Sequence, residues 1–104
     1  MVKHLVMWKL KDEIAADPAE KEAVINEQIR RFDIMQERVP EIQKLTVYRN
    51  FKSGSDFYDF LVVMDFADRE ALERMQTSTA HHDPDDRAFV AKIRKCKAVV
   101  DFEL

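Results

Sequence analysis

The stretch Phe57 to Phe66, FYDFLVVMDF, is apolar at nearly every position. Read as a strand, it points Leu61 and Val63 to one face and Phe60, Val62 and Met64 to the other. The opening stretch Val2 to Leu10, VKHLVMWKL, has the same character. His4, Val6, Trp8 and Leu10 share one face, and Leu5 and Met7 share the other. A sheet with one wet face alternates apolar with polar residues. These two segments do not alternate, so a sheet built from them needs cover on both sides.

The segments between them supply one cover. Asp17-Pro18-Ala19-Glu20 opens a helix: Asp17 caps, Pro18 suits the first position, and Glu20 stands where a capping-box acid reaches back. Ile25, Ile29, Phe32, Met35 and Val39 then form one apolar stripe, and Pro40 ends it. Ile42 to Phe51 reads as a second strand, with Leu45 and Val47 on one face and Thr46 and Tyr48 on the other. Lys52 to Asp56 is a turn around Gly54, the only glycine, and joins it to the Phe57–Phe66 strand as a hairpin. Asp68 caps a second helix with Ala71, Leu72 and Met75 inward. Asp83 caps a third with Pro84 at its first position, and Phe89, Ile93 and Cys96 on its apolar side. The basic run Lys92 to Lys97 reads as the last turn of that helix, where cations complement the dipole. Val99 to Leu104 closes the chain as a strand.

The order β-α-β-β-α(α)-β predicts an α+β, ferredoxin-like βαββαβ fold with an antiparallel four-stranded sheet. Residues 1–104 are one domain by length. Both crossovers cover one sheet face. Leu5, Met7, Leu61 and Val63 on the other have no cover within the chain, and an uncovered apolar face of this size is an association site. Burial against a second copy is the simplest remedy, since two-fold dimers are the commonest oligomers.

Composition removes several partners. With 17 basic and 20 acidic residues the net charge is −3, which argues against nucleic acid. No apolar run approaches the roughly 20 residues of a membrane span. Cys96 is the only cysteine, so no internal disulfide forms; it reads as a small buried hydrophobe in a reducing cytoplasm.

Five stretches carry a family resemblance: VKHLVMWKLKDE, VYRNF, YDFLVVMDFADREALERMQT, Ala80-His81, and VVDFE near the end. In order and spacing they resemble the stress-responsive A/B barrel (Dabb) domain over nearly the whole chain. The resemblance implies a ferredoxin-like chain that pairs sheet to sheet into a dimeric α+β barrel. One plant member of that family cyclises a linear polyketide by an aldol reaction, using a tyrosine and a histidine for proton transfer. His81 matches that histidine, Met75 matches the tyrosine, His4 matches a second pocket histidine, and Phe60 falls on a third. Met75 has no ionisable proton, so that chemistry does not carry over as a unit. Some members also hold a magnesium ion by backbone groups, near Val39 to Ile42 here, which leaves no side-chain signature.

The stretch Gln76 to Asp86, QTSTAHHDPDD, holds the other two histidines. His81, His82 and Asp83 are adjacent and point apart, so they do not share one ion. His4 could join His81 across the core, but two ligands are too few. No metal and no cofactor are expected. Asp83 is read as the helix cap and His82 as a loop residue.

The resemblance turns the face of His4 toward the helices. A largely apolar pocket there would hold Val6, Trp8, Phe60, Val62 and Met75, with His81 at its mouth and His4 deeper. Imidazoles in an apolar pocket suit proton transfer. Three functions remain open: a homodimer that binds a small hydrophobic or aromatic molecule; a cofactor-independent enzyme of the lyase, cyclase or monooxygenase type with His81 as general base; and a structural stress-response protein whose pockets are filled by side chains.

Overall fold

The computed structural model describes residues 1–78 and 83–104. The chain runs β1 (Val2–Leu10), α1 (Asp12–Ala15), α2 (Pro18–Arg38), β2 (Lys44–Arg49), β3 (Phe60–Phe66), α3 (Arg69–Gln76), α4 (Pro84–Ile93) and β4 (Arg94–Glu103). The strands make one antiparallel sheet in the order β2-β3-β1-β4. β3 lies between β1 and β2, and β1 lies between β3 and β4. This is the split βαβ arrangement, and the α+β, ferredoxin-like expectation holds.

Local chemistry starts each long helix. The Asp17 carboxylate accepts from the backbone N–H of Ala19 and Glu20 at 3.1 and 3.3 Å. Asp68 accepts from Ala71 N–H at 2.8 Å, and Asp83 from Asp85 and Asp86 N–H at 2.9 and 3.4 Å. These bonds satisfy donors that have no partner inside the helix. α2 ends where Val39, held extended ahead of Pro40, leaves the helical region.

The core lies between the helices and one face of the sheet. Val2, His4, Val6, Trp8 and Leu10 of β1 are buried, while Lys3, Leu5, Met7 and Lys9 are half-buried on the far face. Ile25, Phe32, Met35 and Val39 of the expected stripe are buried, and Ile29 packs against their edge. Gln28 is buried among them.

Four boundaries differ from the sequence reading. A short α1 stands where only a break was expected, and it buries Ile14. Phe57 and Tyr58 lie outside β3, so the hairpin loop is longer than Lys52 to Asp56. Asp59 stands just before the strand. Its buried carboxylate takes the N–H of Leu10 at 2.7 Å and the ammonium of Lys21 at 3.1 Å, and regular β3 pairing begins at Phe60. Gly54 does serve the turn, at φ 131°. β2 spans only Lys44–Arg49 of the expected Ile42 to Phe51.

The fourth difference matters most. α4 stops at Ile93, and Arg94 to Lys97 belong to β4 rather than to a last helical turn. β1 is long enough to pair with them, through a register shift between Lys9 and Leu10. Cys96 is therefore exposed, opposite Lys9, and is not part of the core.

Candidate functional site

A cavity of about 520 Å³ lies between the helix-facing side of the sheet and the helices. Its floor is Val6 and Trp8 of β1, Val62 and Met64 of β3, and Val99 of β4. Gln28, Arg31, Phe32 and Met35 of α2 form one wall, and Val90 and Ala91 of α4 another. Gln76, Asp86, Arg87, Arg94 and Lys97 stand around them. The helices leave β4 thinly covered, and Val99 keeps 44% of its surface exposed.

Trp8 anchors the floor. Its ring stacks on Phe60 at 5.2 Å between centroids and meets Phe32 edge-on at 5.7 Å. The Arg94 guanidinium lies 4.7 Å from the indole centroid, within cation–π range. Burial among these groups lowers the pKa of Arg94 from its ordinary value, because it disfavours the charged form. An arginine keeps its charge all the same.

His4 stands at the wall with a partner. Cross-strand register sets Asp101 opposite His4, and His4 Nδ1 bonds Asp101 Oδ1. A carboxylate accepts only, so Nδ1–H donates in that pair, and a neutral ring is left with a lone pair on Nε2. Such an orienting carboxylate is the arrangement that fixes a histidine base in hydrolytic triads.

Arg31 ties the two helical walls together. It pairs with Asp86 of α4 at 2.6 Å and Glu27 of α2 at 3.1 Å, and lies 4.4 Å from the Phe89 ring centroid. Among the described residues, two buried polar atoms of the wall have no hydrogen-bond partner, Trp8 Nε1 and Gln28 Oε1.

The sequence-chosen residues fall in three groups. His4, Val6, Trp8 and Val62 line the cavity. Phe60 and Met75 are fully buried and sit off its wall, Phe60 behind Trp8. His81 and His82 lie outside the described residues. The cavity is less apolar than expected, because four cationic side chains join its apolar floor. Asp101, Arg94, Lys97 and Gln28 were missed. Gln28 carried a signal, since it follows Ile25 by three and precedes Phe32 by four, on the apolar stripe. Asp101 and Arg94 depend on strand register, which leaves no local mark. Among the described residues, no group of three or more His, Cys, Asp or Glu is placed to hold a metal. No helix among the described residues is long and apolar enough to cross a membrane.

A family model described as Stress responsive A/B Barrel Domain matches residues 2–104. Among solved structures, the chain is similar to a dimeric protein of unknown function and ferredoxin-like fold from Bacteroides fragilis. The TM-score is 0.80 at 23% identity, covering 99% of this chain and 95% of that one. A dimeric ferredoxin-like protein of unknown function from Thermobifida fusca gives 0.72 at 20% identity, covering 99% and 90%. A Dabb family protein with a ferredoxin-like fold from Mesorhizobium loti gives 0.66 at 20% identity, covering 99% and 95%. A comparison with curated proteins found no match.

Proposed function

Because the chain belongs to the stress responsive A/B barrel domain family, we propose that it acts as a homodimer that binds a small hydrophobic or aromatic molecule. The ligand occupies the cavity between sheet and helices. The observation that carries this reading is the cavity itself, about 520 Å³ over a floor of Val6, Trp8, Val62 and Val99. Small-molecule sites typically enclose roughly 300–1,000 Å³. Phe60 and Met75 act from behind, by holding the floor in place.

The dimer uses the other sheet face, through Leu5, Met7, Leu61 and Val63. Two solved relatives of this fold are described as dimeric, which supports the reading. A stable pairing buries on the order of 1,600 Å² in total. Its setting is the reducing cytoplasm, where a lone exposed Cys96 stays a thiol.

A second reading, an enzyme without a bound cofactor, is favoured by the Asp101–His4 pair. His4 Nε2 would take a proton from carbon or oxygen of a bound carbonyl or phenolic compound, as a lyase or monooxygenase of this kind requires. His81 is the second proton-transfer group of this reading, by its family position alone.

A thermal-shift screen of aromatic and polyketide-like compounds tests both. Some compounds raise the Tm of the wild type, and raise it less in His81→Ala or His4→Ala while both variants stay folded. Flat profiles in all three proteins leave only a structural stress-response role.

A further inference from the structure

We propose that the ligand is a hydrophobic acid, and that Arg94 and Trp8 bind its carboxylate while the apolar floor takes its hydrocarbon part. This rests on the cavity reading above and adds the chemical class of the ligand.

The first observation is an unmatched charge. Arg94 begins β4 with its side chain half-buried over Trp8, and it has no acidic partner within 4.0 Å among the described residues. Its neighbours do find partners. Arg31 on the same cavity has Glu27 and Asp86, and Lys95, the next residue in the chain, has Asp12 at 3.0 Å. Arg87 and Lys97 also border the cavity without an ion pair among the described residues. The chain as a whole is acidic, at −3, so a local excess of free cations does not follow from composition. A half-buried cation left unpaired in a cavity calls for an anion there.

The second observation is that Trp8 Nε1 and Gln28 Oε1 are unpartnered among the described residues. Trp8 and Gln28 are 4% exposed, and both line the same cavity. A buried polar atom without a partner is rare in a folded chain and asks for a reason. Indole N–H only donates, so its missing partner is an acceptor. A carboxylate is an acceptor with two oxygens. It can meet the guanidinium fork of Arg94 in its own plane, and it is the kind of acceptor that the indole N–H lacks. Gln28 adds a third polar group, and a half-turn of its amide replaces the acceptor with a donor. The rest of the floor is hydrocarbon, so an acid with an apolar body fits, and a small hydrophilic anion does not.

Trp8 is the only tryptophan, so its fluorescence reports cavity occupancy without a label. The full-length protein is titrated at pH 7.5 with octanoate and phenylacetate, and with octanamide and phenylacetamide as uncharged matches. The wild type is expected to bind each acid about ten-fold or more tightly than its amide, the scale of a charge-assisted hydrogen bond. Arg94→Gln is expected to erase that preference while keeping the amide affinity, which shows the cavity intact. Arg94→Lys should restore part of it through charge alone. Equal binding of acid and amide by the wild type overturns the acid proposal and leaves the cavity reading standing. An acid preference that survives Arg94→Gln overturns the assignment to Arg94. If no probe alters Trp8 emission or Tm, the cavity reading falls, and the acid proposal with it.

Discussion

The two faces of the sheet carry similar apolar loads and opposite arrangements of polar groups. On the helix side, β1 buries Val2, Val6, Trp8 and Leu10, and polar groups border the cavity: His4, bonded to the exposed Asp101, and Arg94 over Trp8. On the open side, Thr46, Val63, Leu5 and Val100 run in one line across the sheet, and Tyr48, Leu61, Met7 and Ala98 in the next. The polar groups there flank these lines, as in the Lys3–Asp65 pair at 2.8 Å. A charge in the middle of an apolar face gives a ligand something to orient on. An apolar centre with charges at its edge is how a protein–protein interface is laid out. The proposed function assigns the ligand to one side of these strands and the partner to the other.

Charge placed on the open face should have the largest effect. Leu61→Glu or Val63→Glu is expected to split the dimer or unfold the chain, since a buried unpaired charge costs several kcal/mol. Sedimentation and thermal melts measure both outcomes, and a variant that still pairs like the wild type would show that this face is free. Truncation of two adjacent residues sharpens the contrast. Phe60→Ala, on the covered face at 2% exposure, should cost about 3–5 kcal/mol at any protein concentration. Leu61→Ala, half-buried on the open face, should cost less in one chain, and its cost should grow with protein concentration. Equal, concentration-independent losses in denaturant titrations would erase the distinction between the faces.

Two smaller effects lie away from both faces. Asp83→Ala should lower stability by about 1 kcal/mol through loss of the α4 cap, read from the urea midpoint. At Glu27, the hydrogen bond from Arg30, with the nearby charges of Arg30 and Arg31, lowers the carboxyl from 4.5 to about 2. Its folded pKa is depressed, so this contribution is present above the ordinary carboxylate value and is lost as pH falls toward 2. An NMR titration should find the Glu27 midpoint near 2 in the wild type and closer to 4.5 in Arg30→Ala.

What could be read in the sequence was what neighbours along the chain decide. Asp17, Asp68 and Asp83 cap helices by bonding N–H groups two or three residues away, so the residues involved stand side by side in the text. Period two alone put His4, Val6 and Trp8 on one face. The β4 start could not be read this way. Lys92 to Lys97 suits a helix end by its charge, and only the free edge of β1 draws Arg94 to Lys97 into the sheet. That one misplacement hid much of the site. With Arg94 on a helix, nothing sets it over Trp8. Without the register that pairs β4 with β1, nothing sets Asp101 opposite His4. Met75 shows the reverse case. Helical spacing turned it inward correctly, yet it packs into solid core beside the cavity rather than onto its wall.

The claim that joins these observations is that a second copy covers the open face. Sedimentation velocity of the wild type at micromolar concentration tests it directly. One species at twice the 12.3 kDa chain mass is the expected result. A single 12.3 kDa species that persists as concentration rises would contradict it.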